Sequence, residues 1–148
     1  MDWETIVAII AALISVIAAI DAHLQNKNIN QINLKAGYFN EIYKDYLIYK
    51  FPKARSYIQF IDGKLTGIDR LVDEMNSMRH DSLYFYFSDK KFYDNLKIEM
   101  QKLEDYLFIR SEEFLTSKEQ RETFETIEKY MNEIYKCITA KYLGKQLL

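Results

Sequence analysis

The fifteen residues from position 6, IVAIIAALISVIAAI, constrain this chain most, because they contain no charge and only one polar residue, Ser15. A helix of fifteen residues is about 23 Å long, whereas a bilayer core is about 30 Å thick and needs about 20 helical residues. Extending the run to residues 3–24 supplies the length and places Trp3 at one interface, where aromatic side chains are common. Asp21 and His23 then lie near the other interface. We therefore expect residues 3–24 to form a transmembrane helix.

The charges around this run predict its orientation. All 20 Lys and Arg residues follow position 26, and the only charged side chains before the run, Asp2 and Glu4, are acidic. A cleaved signal peptide would begin with a basic region, so we expect the run to remain as an anchor. The positive-inside rule puts the N-terminus outside the inner (plasma) membrane and residues 25–148 in the cytoplasm. The alternative is a buried helix in a soluble oligomer.

A stripe of small residues runs along the predicted span. Its members alternate at steps of four and three residues, which keeps them on one helix face. Small stripes let membrane helices approach closely. We therefore expect the span to self-associate into a homo-oligomer, although an Ala-rich composition alone would give partial stripes. The stripe consists of Ala8, Ala12, Ser15, Ala19 and Ala22.

The rest of the chain has the apolar periodicity of amphipathic helices, and one Pro and four Gly are too few breakers for an all-β fold. Pro52 suits the start of a helix, Asp62-Gly63-Lys64 predicts a turn, and Ser117 to Gln120 matches a capping box. Matched helix lengths favour an all-α, antiparallel up-down bundle of four-helix type. The predicted helices are 25–50, 53–81 in two pieces, 89–114 and 118–143, with apolar positions Ile68, Leu71, Met75, Met78, Phe92, Leu96, Met100, Leu103, Leu107, Phe124, Ile127, Met131, Ile134 and Ile138.

Up-down order places two further segments near the bilayer. The first is the predicted join at 82–88, whose aromatic rings suit a membrane interface; a buried connection or a short core strand explains them as well. The second is the C-terminal KYLGKQLL, whose lysines suit anionic headgroups. The predicted interface residues in these segments are Tyr84, Phe85, Tyr86, Phe87, Lys141 and Lys145.

No catalytic, cofactor or metal site is predicted. The two histidines, His23 and His80, do not form a metal-ligand motif, and there is no Gly-rich phosphate loop. The single cysteine, Cys137, lies among apolar helix positions and excludes an internal disulfide framework. A net charge of −2 offers no basic field for nucleic acid. We therefore expect a non-enzymatic protein with no cofactor and no nucleic-acid partner.

The densest polar cluster is Arg79-His80-Asp81 at the end of a predicted helix. It suggests a small acid–base or anion site, but a basic helix C-terminus followed by a turn Asp, favoured by the helix dipole, explains it better. HEPN ribonucleases are helical bundles in which a few residues separate an Arg from a His. Here Arg79 adjoins His80 and Arg70 lies too far away, so that activity is not expected.

The layout of a span such as AIIAALISVIAAI, a polar helix and a bundle resembles that of small bacterial antiviral membrane proteins. The resemblance covers the first fifty residues. It implies a role in abortive infection, in which a sensor triggers membrane damage.

Three functions fit this sequence. The first is a membrane-disrupting effector whose spans pack into a pore or bilayer defect, with Asp21 and His23 at the cytoplasmic mouth. The second is an anchored interaction module that docks a partner through Tyr38, Tyr49 or Tyr57. The third is a soluble enzyme or oligomer. We expect the first, because the stripe is a specific feature; the partners are then the bilayer, further copies of the chain, and a sensor or partner protein.

Overall fold

The computed structural model describes residues 3–142, and for residues 3–14, 28, 31, 32 and 35 it describes the backbone only. The described residues are mostly helical, which confirms the all-α class. The chain divides into two compact units between Gly37 and Tyr38.

Helix α1 (Trp3–Tyr38) forms the first unit as far as Gly37 and runs for 36 residues without a break. At about 1.5 Å per residue it is about 54 Å long. Its large aliphatic side chains are more than half exposed wherever they are described, namely Val16, Ile17, Ile20, Leu24, Ile29 and Leu34.

The predicted span 3–24 falls largely on the backbone-only part of α1. Among the residues whose side chains the structure describes, no helix is long and apolar enough to cross a bilayer. Residues 3–14, which carry most of the apolar run, lie outside that description.

The second unit begins with two π turns, Phe39–Tyr43 and Tyr46–Lys50, followed directly by α2 (Phe51–Arg55). The predicted break after residue 50 is therefore wrong. Pro52 lies in the first turn of α2, where its missing N–H costs little. The buried side chains of this segment are Tyr43, Tyr46, Leu47, Phe51 and Ala54.

A small antiparallel hairpin follows, formed by β1 (Gln59–Ile61) and β2 (Lys64–Thr66). The turn residues Asp62 and Gly63 both have positive φ, 50° and 81°, as Asp-Gly hairpin turns require. The predicted turn is confirmed, but the first piece of the predicted helix 53–81 ends at residue 55 and is followed by a strand. Lys64 also bridges Phe114, which holds the hairpin to the connection between the last two helices.

Four more helices complete the bundle: α3 (Asp69–Asp81), α4 (Leu83–Ser88), α5 (Lys90–Glu112) and α6 (Ser117–Tyr142). The predicted apolar positions of α3, α5 and α6 are all buried except Phe124, which is half-buried. The region predicted as a break at 82–88 is instead the short helix α4.

Three pairs of neighbouring elements in the second unit run antiparallel. The segment 38–55 is antiparallel to both α3 and α6, and α5 is antiparallel to α6. The segment contacts α3 through Tyr43–Ser82 and Lys50–Glu74, and α6 through Phe39–Tyr142 and Arg55–Glu128. Helices α5 and α6 are joined by Asp89–Lys141 and Tyr106–Tyr130. In each pair of contacts, the residue number rises in one element and falls in the other.

The last two long helices both have side-chain caps. Asp89 caps α5 by accepting a hydrogen bond from Phe92 N over 3.1 Å. The capping box of α6 lies one residue earlier than predicted: Thr116 N donates to Glu119 Oε2 over 2.8 Å, and Glu119 N donates to Thr116 Oγ1 over 3.5 Å. Thr116 satisfies the same sequence pattern as Ser117. Gly144, a residue type that suits the end of a helix, lies outside the described residues.

Candidate functional site

A groove of about 420 Å³ opens between the second π turn, α2 and the start of α3. Its size is within the usual range for ligand pockets, and π turns are frequent at functional sites. The residues that line this groove are Tyr49, Lys50, Lys53, Ala54, Tyr57, Arg70, Asp73 and Glu74.

The groove presents tyrosine rings beside paired charges. The Arg70 guanidinium lies 3.7 Å from the centre of the Tyr57 ring, a cation–π contact. Lys50 Nζ lies 4.0 Å from Glu74 Oε2. Tyr49 is 62% exposed and Tyr57 39% exposed, so both rings are accessible from solvent. Three cations and two carboxylates line the groove, so it favours a partner with an acidic or aromatic group.

Gly67 sets the shape of this end of the groove. Its φ is 75°, and a Cβ built on it would lie 2.1 Å from the carbonyl oxygen of Tyr57. Only a glycine allows the chain leaving β2 to pass so close to the chain leaving α2. This close approach brings Arg70 on α3 over the ring of Tyr57.

A buried polar network joins the π turns to the end of α3. The hydroxyls of Tyr43 and Ser82 lie 3.0 Å apart and both residues are fully buried. The Tyr46 hydroxyl donates to Asp81 Oδ2. Burial is the main cause that raises the pKa of Tyr43 and of Tyr46 above the usual value, so both hydroxyls remain protonated at neutral pH.

The Arg79-His80-Asp81 cluster does not form a site. Arg79 Nη2 donates to Glu104 Oε2 over 2.9 Å, Asp81 accepts from Tyr46, and His80 is exposed with its Nδ1 3.6 Å from Asp81 Oδ1. Arg79 and Asp81 therefore bind different partners, and the exposed His80 lies beside Asp81. This arrangement fits the helix-end interpretation.

The aromatic run of α4 divides into a buried ring and exposed ones. Phe85 is buried and its ring centre lies 5.1 Å from that of Phe92 and 6.2 Å from that of Tyr43. Tyr84 and Tyr86 are exposed, and Phe87 is 86% exposed. Three of the four predicted interface rings are therefore available for contact, while the fourth is part of the core.

Of the two predicted C-terminal interface lysines, only Lys141 lies within the described residues. Lys141 is half-buried and its Nζ pairs with Asp89 Oδ2. The hydrogen bond from Lys141 is the main cause that lowers the pKa of Asp89, followed by the bond from Phe92 N. Lys145 lies outside the described residues.

The predicted residues of the span are exposed where they are described. Ser15, Ala19, Ala22 and His23 are exposed, and Asp21, also exposed, accepts a hydrogen bond from Gln25 Nε2 over 3.0 Å. The side chains of Trp3, Ala8 and Ala12 lie outside the described residues.

Metal and thiol chemistry gain no support from the geometry. Within residues 3–142, no group of three or more His, Cys, Asp or Glu residues whose side chains are described could hold a metal ion. Cys137 is half-buried, and burial raises the pKa of its thiol to about 11. The thiol is therefore protonated at neutral pH and a poor nucleophile.

Only two of the residues that line the groove, Tyr49 and Tyr57, were predicted from the sequence as docking residues. The charged residues of the groove come from two helices separated by the hairpin, so no single stretch of sequence displays them together. No family model, no curated protein and no solved structure matches this chain.

Proposed function

We propose that the protein is anchored in a membrane by α1, self-associates through the small-residue stripe and permeabilises the bilayer, as an antiviral effector would. The observation that supports this proposal is the uncovered apolar surface of α1. Its described large aliphatic side chains are more than half exposed, and lipid or another copy of the helix would cover them.

The energetics favour such cover. Complete burial of one large aliphatic side chain is worth about 1.5–3 kcal/mol. Lipid tails cover the bulky side chains of a span, whereas the small stripe lets two backbones approach closely. The described stripe residues Ser15, Ala19 and Ala22 are exposed and thus accessible to a neighbouring helix.

Asp21 and His23 give the proposed assembly a polar mouth. Both lie close to the end of the predicted span and both are exposed. In an assembly of several spans these side chains would surround the opening on the cytoplasmic side. Ionisable residues at that depth are costly in a lipid-facing position and are usually retained for function.

Membrane potential in bacteria expressing the full chain tests this proposal. We expect depolarisation by the parent, reported by a voltage-sensitive dye, and none by the double variant Ala12→Leu/Ser15→Leu, whose larger side chains separate the backbones. The matched control is Ile10→Leu/Ile14→Leu, which changes two residues away from the stripe. Both variants must remain in the membrane fraction. Depolarisation by the stripe variant would contradict the proposal.

The groove favours a second candidate, an anchored module that docks a protein partner. Its support is that Tyr49 and Tyr57 line the same cavity as the cations Lys50, Lys53 and Arg70. Tyrosine and arginine are enriched in protein interfaces.

Co-purification with the full chain tests this second candidate. A partner docked in the groove would be lost from Tyr49→Ala/Tyr57→Ala and kept by Tyr84→Ala/Tyr86→Ala, which removes two exposed tyrosines on α4. Stripe variants would still bind it. A partner that both tyrosine variants retain would contradict docking in the groove.

A further inference from the structure

The heptad of α1 continues beyond the small-residue stripe. Because α1 is one unbroken helix from Trp3 to Tyr38, the alternation of four and three residues can be followed past Ala22. It reaches a second set of positions, which we call the polar seam: Asn26, Ile29, Asn33 and Ala36. In heptad terms Asn26 and Asn33 occupy a positions, and Ile29 and Ala36 occupy d positions. All four side chains are exposed.

The charges of this helix are partitioned around the seam. Between residues 5 and 37 the only Asp, Glu, Lys or Arg residues are Asp21, Lys27 and Lys35. In the same register they occupy b and c positions, which face away from a coiled-coil partner. The e and g positions beside the seam carry His23, Gln25, Asn30 and Ile32. A partner helix with the same pattern therefore meets no opposing like charge from Lys, Arg, Asp or Glu.

We propose that the polar seam pairs with the polar seam of a second copy of this chain, parallel and in register. The inference rests on the proposed self-association of α1 and specifies its orientation. In a parallel pair, Asn26 faces Asn26 and Asn33 faces Asn33. Each amide has both donors and acceptors, so identical amides satisfy one another.

An antiparallel pair or a shifted register does not fit the same residues. It would set Asn26 or Asn33 against Ile29 or an alanine and leave an amide without a hydrogen-bond partner at the interface. An asparagine at an a position is known to fix register at a cost in stability. The polar seam therefore sets the alignment of the two helices. Anchoring of both copies in one membrane raises their effective concentration and so favours pairing.

Disulfide cross-linking of the full chain in membranes tests the seam. Under mild oxidation, we expect a covalent dimer from Asn33→Cys and from Asn26→Cys, because facing a positions bring the two Cα atoms within about 7 Å. The matched controls are Lys35→Cys and Lys27→Cys at outward positions. The parent, which contains Cys137 alone, gives the background. Equal cross-linking by the outward controls, or none from the seam variants, would overturn the proposal.

A second comparison removes the dependence on one engineered thiol. Adding Asn33→Asp to Asn26→Cys places two carboxylates face to face, and we expect about tenfold less dimer. Adding Lys35→Asp instead should leave the dimer yield unchanged. If both added substitutions reduce the yield of covalent dimer equally, the proposed pairing through the polar seam is wrong.

The same membranes separate this inference from the proposed function. Cross-linking at the seam without depolarisation would support the seam and contradict permeabilisation. Depolarisation without cross-linking at the seam would overturn the seam alone.

Discussion

The hydroxyl of Tyr46 donates a hydrogen bond to Asp81 Oδ2 over 2.5 Å. Tyr46 belongs to the second π turn and is buried, whereas Asp81 is the last residue of α3. The contact thus ties the π segment, which forms one wall of the groove, to the far end of the helix that forms the other wall.

We expect Tyr46→Phe to lower the free energy of unfolding by about 2 kcal/mol at neutral pH, since a hydrogen bond to a charged group is worth about 1.5–3 kcal/mol. Urea unfolding followed by circular dichroism measures this change. Tyr49→Phe is the control, because Tyr49 lies in the same turn but is exposed. Equal effects of the two substitutions would show that the bond to Asp81 contributes nothing.

Tyr46 should also contribute to alkaline sensitivity. Burial, then the hydrogen bond with Asp81, raises the pKa of Tyr46, while an unfolded tyrosine ionises near pH 10. Stability is therefore fully present below about pH 10 and falls as the pH rises beyond it. We expect Tyr46→Phe to have a shallower decline than the parent in urea unfolding above that pH. The decline should not vanish, because burial also raises the pKa of Tyr43 and Tyr142.

Asp89 has two stabilising contacts, the cap on Phe92 N and the pair with Lys141. We expect Asp89→Ala to cost about 1–2 kcal/mol at neutral pH and Asp89→Asn less, because asparagine keeps the cap. Since the pKa of Asp89 is lowered in the fold, its contribution is present above about pH 4 and is lost as the pH falls through the folded-state value.

Unfolding of both Asp89 variants from neutral to acidic pH checks this expectation. Asp89→Asn should lose less stability than the parent on acidification. The control is Asp94→Asn, which breaks only the exposed pair with Lys90 and should cost at most about 1 kcal/mol. An unchanged acid profile for Asp89→Asn would mean that this carboxylate does not contribute.

The two glycines Gly67 and Gly37 should respond oppositely to alanine. A Cβ at Gly67 would overlap the backbone oxygen of Tyr57, so we expect Gly67→Ala to cost about 3 kcal/mol and to distort the groove. A Cβ at Gly37 meets no heavy atom within 4 Å among the described residues. Gly37→Ala should favour the helix by about 1 kcal/mol. Thermal unfolding separates the two, and a tolerated Gly67→Ala would contradict the close approach.

Phe85 and Phe87 should differ although they are two residues apart. Phe85→Ala should cost about 3–5 kcal/mol because it opens a cavity in an aromatic core. Phe87→Ala should change the free energy of unfolding by less than about 0.5 kcal/mol, because the ring is exposed. Urea unfolding of the two variants provides the measurement. Comparable losses would contradict the observed burial.

The expected membrane contact of α4 can be measured with a fluorescent side chain. In a Trp3→Phe background, Phe87→Trp should be quenched by lipids that carry a quencher in the headgroup region. Phe108→Trp is the control, since Phe108 is exposed on α5, far along the helix from α4. Quenching of both tryptophans, or of neither, would contradict a bilayer contact specific to α4.

Helix positions and core residues were predictable from the sequence, but several local features were not. Steps of three and four residues identified the buried faces of α3, α5 and α6, because burial requires one apolar face per helix. The hairpin was missed because three-residue strands have too few alternating positions to contrast with helix periodicity. The aromatic run of α4 does not show a helical pattern in the sequence, since only Phe85 among its four rings is buried.

The groove was the least predictable feature. Its rings come from the segment 49–57, and Arg70, Asp73 and Glu74 come from α3, on the other side of the hairpin. The positive φ at Gly67 allows the close approach of the chain to Tyr57 at one end of the groove. A glycine in the sequence does not reveal which backbone atom it must accommodate.

The two π turns make the length of the segment 39–50 more critical than its composition. In each turn an N–H reaches back five residues, from Lys44 to Phe39 and from Phe51 to Tyr46, so each turn contains one residue more than an α-helical turn. Deleting one of these residues would restore an ordinary turn and rotate all later side chains by about 100°. A chain that keeps every core residue but is one residue shorter in the first turn, Phe39–Tyr43, would turn Tyr46 away from Asp81. The direction in which the later side chains point around the helix axis therefore depends on the number of residues in this segment. A deletion can change that direction even where a single substitution is tolerated.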